Sequence, residues 1–194
     1  MEHWLYYTRG RLLEEFRRTQ GSIDAYQAAL RIKPDFHLCS NRIAYILSGL
    51  GRYDEAEPYF LAVLRADPGN AVAHFNLGYT QEKRGQIENA IVAFRQATRL
   101  NSKIDRAWYG LGLAHAALGQ HDEAAKALHQ AATLQPMNPH AWYQLGMAYH
   151  ALRTPEEFDA VVMHLLRFDP KMTRRLIQDA GRSDLAHLVQ HLVV

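Results

Sequence analysis

Cysteine is nearly missing from this chain of 194 residues, where Cys39 is the only one. A single thiol can form neither an intrachain disulfide nor a four-cysteine zinc site, which excludes a disulfide scaffold. Excess charge is missing too. The 22 basic and 20 acidic residues leave a formal +2, and no Lys/Arg block stands out, so a nucleic-acid partner has no electrostatic support. No apolar run approaches the roughly 18–20 residues that span a bilayer. The opening Met1-Glu-His-Trp-Leu-Tyr-Tyr-Thr-Arg lacks the charged head and apolar stretch of a secretory signal. A soluble, cytoplasmic protein is the expectation. What the chain does have is 48% apolar and 22% charged residues, too many core-formers for disorder and enough for one folded domain.

Catalytic signatures are absent as well. There is no Gly-rich phosphate loop, no His-Glu-x-x-His and no nucleophile elbow. Cys39 has His37 two residues away, but on a helix those side chains point to different sides, so a buried or half-buried, inert thiol is expected. Eleven histidines raise the question of a metal. His187 and His191 are i, i+4 neighbours with Asp184 the one carboxylate close by, and two imidazoles without a third ligand bind weakly. No metal, no cofactor and no enzymatic reaction are expected. His115 falls on an inward position and reads as a core histidine.

The organising signal is a period. Pro34, Pro68, Pro136 and Pro170 are separated by 34, 68 and 34 residues, with Ser102 in the open slot. Gly51, Gly85 and Gly119 repeat at the same interval, as do Gly78, Gly112 and Gly146, each after a leucine. Ala56, Ala90 and Ala124 form another column, followed four residues later by Phe60, Phe94 and Leu128. Trp108 and Trp142 add one more. A fixed spacing of this kind marks a repeat architecture.

Each unit reads as two helices. In residues 105–138, Asp105 is placed to cap the first, and Trp108, Leu111, Gly112 and His115 share one face. Gly119 stands where a helix end calls for a left-handed residue. Asp122 and Glu123 open the second helix at its positive end. Ala124, Leu128, Ala131 and Leu134 line its inner side, and Gln135-Pro136 ends it. Helices this short are marginal alone in water, so they persist by packing on each other and on the next pair.

These residues resemble the tetratricopeptide repeat, whose pattern is an aromatic, Leu-Gly, a large residue, Gly, Ala, an aromatic, Ala and Pro. The resemblance runs through residues 37–70, 71–104, 105–138 and 139–172, more loosely through 3–36, with 173–194 left as a C-terminal cap. It implies an all-α, right-handed α-solenoid of about five helix-turn-helix units plus a capping helix, as one domain.

The pattern breaks in two places. In the last unit Arg153 replaces the turn glycine and Phe158 the small alanine. Thr154-Pro155-Glu156-Glu157 still starts a helix well, so the helix is expected to survive while Phe158 opens the pair. In the first unit Gly21 makes the turn look shifted, and one long helix from about Glu2 to Thr19 is expected. Past the repeats, Leu185, Leu188, Val189, Leu192 and Val193 form an amphipathic stripe. It either caps the last repeat or serves a homodimer contact.

In this family the ligand face is lined by the first helix of each pair. The resemblance thereby assigns Asn41, Arg42 and Tyr45 in the second unit, then Val72, Phe75, Asn76 and Tyr79 in the third. The fourth supplies Arg106, Tyr109 and Leu113, and the fifth His140, Tyr143, Gln144, Met147 and His150. Phe75, Tyr109 and Tyr143 share one register, an aromatic ladder that either binds a partner or packs on the neighbouring helix. The family's carboxylate clamp for chaperone tails finds only Asn76 and Arg106 in place on units two to four, and nothing on units three to five. The implied function is noncovalent binding of a peptide or protein segment, as adaptor or scaffold. A secretion-type chaperone shielding an apolar client is the alternative, though such proteins are usually more acidic. A metalloenzyme or metal carrier is a third.

Overall fold

The computed structural model describes residues 1–190, and among them every regular element is helical. Two compact units divide the chain, Met1–Asn101 and a second beginning at Ser102. The first holds α1 (Glu2–Glu15), α2 (Thr19–Ile32), α3 (His37–Gly49), α4 (Tyr53–Ala66), α5 (Ala71–Lys83) and α6 (Ile87–Leu100). The second holds α7 (Asp105–Ala117), α8 (His121–Leu134), α9 (Pro139–Leu152), α10 (Pro155–Leu166) and α11 (Pro170–Asp179), then a 3-10 helix, Ser183–Leu188. Residues α1/α2, α3/α4, α5/α6, α7/α8 and α9/α10 are packed as successive hairpins within their units.

The period is written into the backbone. Arg17, Gly51, Gly85, Gly119 and Arg153 all lie in the left-handed region, with φ of 55°, 74°, 74°, 71° and 59°. Each turns one helix into the next of its pair. The turn of the first unit is therefore in register and not shifted, and the expected long helix to Thr19 is corrected to two helices broken at Phe16–Arg18. Gly21 misled because it looks like a turn residue, yet it lies inside α2.

A second column ties each hairpin to the turn before it. Trp108 Nε1 donates to the carbonyl of Ser102 and Trp142 Nε1 to that of Pro136, both at 2.9 Å. His74 Nε2 holds the equivalent carbonyl of Pro68 at 3.1 Å. Side-chain caps are sparser than the sequence suggests. Asn70, Asn138 and Asp169 cap their helices, whereas α7 is preceded by Ile104 with no side-chain cap, so Asp105 acts in the first turn instead.

Close approach explains the glycine column. A Cβ on Gly10 would sit 2.5 Å from the Tyr26 ring, and one on Gly78 2.8 Å from the Phe94 ring. On Gly112 it would meet Leu128 Cγ at 2.5 Å. Gly146 departs from this: its neighbour is Leu176 of α11, at 2.7 Å. Phe158, where α4, α6 and α8 carry alanine and α2 carries Ser22, is buried in that region beside Val162, Leu165 and Leu176. The pair α9/α10 packs less closely than the other four hairpins, and α11 lies against both of its helices. The tail stripe is corrected in part: Leu185 and Leu188 belong to a 3-10 helix rather than an α-helix, with Val189 buried. Leu192, Val193 and His191 lie outside the described residues.

Candidate functional site

In the first unit, α3 and α5 touch and carry the first six of the expected partner-binding residues. Tyr45 is 68% exposed, Asn41 is exposed, and Tyr79 is 37% exposed. Asn76 is half-buried. Phe75 is half-buried too, its ring 6.0 Å from that of core Phe94, so this rung of the ladder is partly core. Arg42 is committed inside the unit, 3.5 Å from Glu14 Oε2. The same carboxylate accepts from Tyr26 Oη at 2.5 Å, and burial with that bond pushes the Tyr26 phenol well above its ordinary range.

Tyr79 has two further neighbours. Tyr53 meets its ring edge-on at 6.1 Å, and Lys83 Nζ lies 5.1 Å over its face. The hydrogen bond with Tyr53, then burial, raises the Tyr79 phenol above its usual value. The i, i+4 spacing of Tyr79 and Lys83 was a readable signal for the second contact; Tyr53 comes from another helix and was not.

In the second unit Arg106 is exposed, while Tyr109, Leu113, Tyr143, Gln144 and Met147 are half-buried. Tyr109, Tyr143 and Met147 pack against the core cluster there. Tyr143 is further engaged by α11, its Oη donating to Asp179 Oδ2 at 2.7 Å. The Arg175 guanidinium sits 5.1 Å over the same ring. That hydrogen bond, followed by burial, raises the phenol. Val72 and His150 are exposed, and so is His140.

Cys39 is fully buried and burial pushes its thiol up to about 12. His115 is 4% exposed and its Nδ1 lies 2.6 Å from Gln120 Oε1, a satisfied core histidine. Among the described residues no three His, Cys, Asp or Glu side chains converge on one point, and no helix is long and apolar enough to cross a membrane.

Known structures place this arrangement in context. The chain matches a crystal structure of MamA protein with a TM-score of 0.78, at 22% identity over 95% of this chain and 96% of that one. YrrB, described as a TPR protein with an unusual peptide-binding site, gives 0.80 at 21% identity, covering 91% of this chain and 90% of that one. PilW, a type IV pilus biogenesis factor, gives 0.70 at 17% over 96% and 90%. At such identities the likeness is one of fold, the all-α tetratricopeptide solenoid. No curated protein matches the chain in sequence. Models described as tetratricopeptide repeat match residues 41–103, 80–132, 5–36 and 139–172, and one described as TPR repeat matches 115–152. The chain belongs to the tetratricopeptide repeat family.

Proposed function

We propose that this protein is a noncatalytic interaction scaffold that binds a peptide or protein segment on the first-helix face, chiefly through α3 and α5. The observation that carries the reading is the exposure of Tyr45 beside Asn41, next to the half-open Asn76 and Tyr79. Tyrosines lose little entropy on contact and keep a polar handle, and an asparagine amide can both donate to and accept from an extended backbone. YrrB, a fold neighbour, is named for a peptide-binding site. The corresponding rungs of the second unit, Tyr109, Leu113, Tyr143, Gln144 and Met147 with Arg106 at the edge, contribute less, because α11 already engages Tyr143.

The test is recovery of partners from native extract with the wild type and with Tyr45→Ala/Tyr79→Ala. The reading expects the bound proteins to disappear from the variant while its thermal midpoint stays within a few degrees. Retention of the same partners by a folded variant would remove this face from consideration.

A further inference from the structure

A second surface of the first unit is built differently. A groove of about 550 Å³ runs between α4 and α6, floored by Leu77 and Gln81 of α5 together with Ala93 of α6. Leu77 and Gln81 are buried there, whereas Leu61 of α4 and Val92 of α6, on the walls, are 42% and 62% exposed. None of the residues on the α3/α5 face discussed above lines it. We infer that this groove binds an extended peptide strand, with apolar side chains at alternate positions and an acidic residue at the Arg65 end.

Gln81 carries the inference furthest. Its Nε2 donates to Glu57 Oε1 at 2.9 Å, which fixes the orientation of the amide, because a carboxylate only accepts. Its Oε1 is then left buried with no hydrogen-bond partner in the structure, a state that natural interiors avoid. The missing group is a donor. A helix laid into the groove keeps its backbone N–H groups paired beyond the first turn, whereas an extended strand offers free backbone amides along its length.

The walls agree with a strand. Asn89 and Gln96 stand seven residues apart on one side of α6 with Val92 between them, so two amides flank an apolar seat. Asn89 reaches Gln86 only at 3.5 Å, and Gln96 has no partner among the described residues. Side chains on a strand alternate, so every second one would enter between Leu61 and Val92. Charge sets the direction. Arg65 lines the groove without a hydrogen-bond or ion-pair partner among the described residues, and no carboxylate lines it with Arg65.

The experiment uses the full chain, labelled with nitrogen-15, titrated with capped hexapeptides Asp-Xaa-Ser-Xaa-Ser-Xaa in which Xaa is leucine, valine or phenylalanine. The expected result is saturable amide shifts centred on residues 61–65, 77–81 and 89–96. Val92→Glu, an exposed change that spares the fold, is expected to abolish them, and Gln81→Met to weaken binding roughly tenfold. With Arg65→Glu, peptides headed by lysine should bind better than those headed by aspartate. Melting curves confirm that each variant is folded. The inference is overturned if no peptide saturates by about 1 mM, if backbone N-methylation leaves affinity unchanged, or if Arg65→Glu leaves the aspartate preference intact. Shifts confined to the α3/α5 face and lost with Tyr45→Ala would also overturn it, while supporting the function proposed above.

Discussion

Leu176 of α11 stands 2.7 Å from where a Cβ on Gly146 would lie, in the place that Leu128 of α8 takes over Gly112 in the preceding hairpin. The cause is Phe158. It is fully buried where Ala56, Ala90 and Ala124 sit in earlier pairs, so α10 cannot close on α9 and the next helix supplies the missing side chain. Leu176→Ala therefore removes a core residue and not a tail residue. The expected cost is about 2–5 kcal/mol, read by urea unfolding of the full chain. A loss below about 1 kcal/mol, the range of surface changes, would show that α11 is only laid against the repeat.

Gly112 offers a sharper packing test. A Cβ there would meet Leu128 Cγ at 2.5 Å and the Leu128 backbone nitrogen at 3.2 Å, so the strain cannot be relieved by a rotamer change alone. Gly112→Ala should destabilise by about 1–3 kcal/mol, the cost of overpacking. Gly49, the last residue of α3, has nothing within 4 Å of its added Cβ, and Gly49→Ala should instead stabilise, by up to about 1 kcal/mol, through helix propensity. Opposite signs for the same chemical change, measured by thermal unfolding, are what close approach demands.

How much of this was legible follows from which residues carry the signal. The left-handed turns at Gly51, Gly85 and Gly119 could be read because glycine is the residue that adopts positive φ without strain. The same turn at Arg17 could not, because an arginine there reads as helix, and the nearby Gly21 drew attention away. The place of α11 was hidden for another reason: no local pattern says that Leu176 reaches Gly146 thirty residues back, only the bulk of Phe158 hints at a gap. On the partner-binding face the spacing placed Tyr45 and Tyr79 on adjacent helices, but it could not show that Glu14 holds Arg42 or that Asp179 holds Tyr143. Those pairings join helices through tertiary packing.

The left-handed arginines make a prediction of their own. Arg17 and Arg153 hold φ of 55° and 59°, a conformation that costs a residue with a Cβ about 1–2 kcal/mol. Arg17→Gly and Arg153→Gly should each raise stability by up to about 1 kcal/mol, the gain being reduced by the greater freedom of glycine in the unfolded chain. Gly119→Ala, at φ 71° with open space around it, should lower stability by about 1 kcal/mol for backbone reasons alone. Melting midpoints that move the other way at both arginines would mean that their side chains contribute contacts that outweigh the strain.

Cys39 gives a test in pH. Burial pushes its thiol up to about 12, while in the unfolded chain a cysteine ionises near about 8.5. Between those two values the unfolded state has lost a proton that the folded state keeps. Stability then falls as pH rises through that window, because unfolding is favoured wherever the unfolded chain binds fewer protons. Below about pH 8 the thiol is neutral in both states and contributes no slope. Urea midpoints measured from pH 7 to 10.5 should decline beyond about 8.5, and the decline should be shallower in Cys39→Ala than in the wild type. A thiol reagent at pH 8 should label Cys39 only once urea unfolds the first unit. Rapid labelling of the native protein would place the sulfur within reach of solvent and end this account of it.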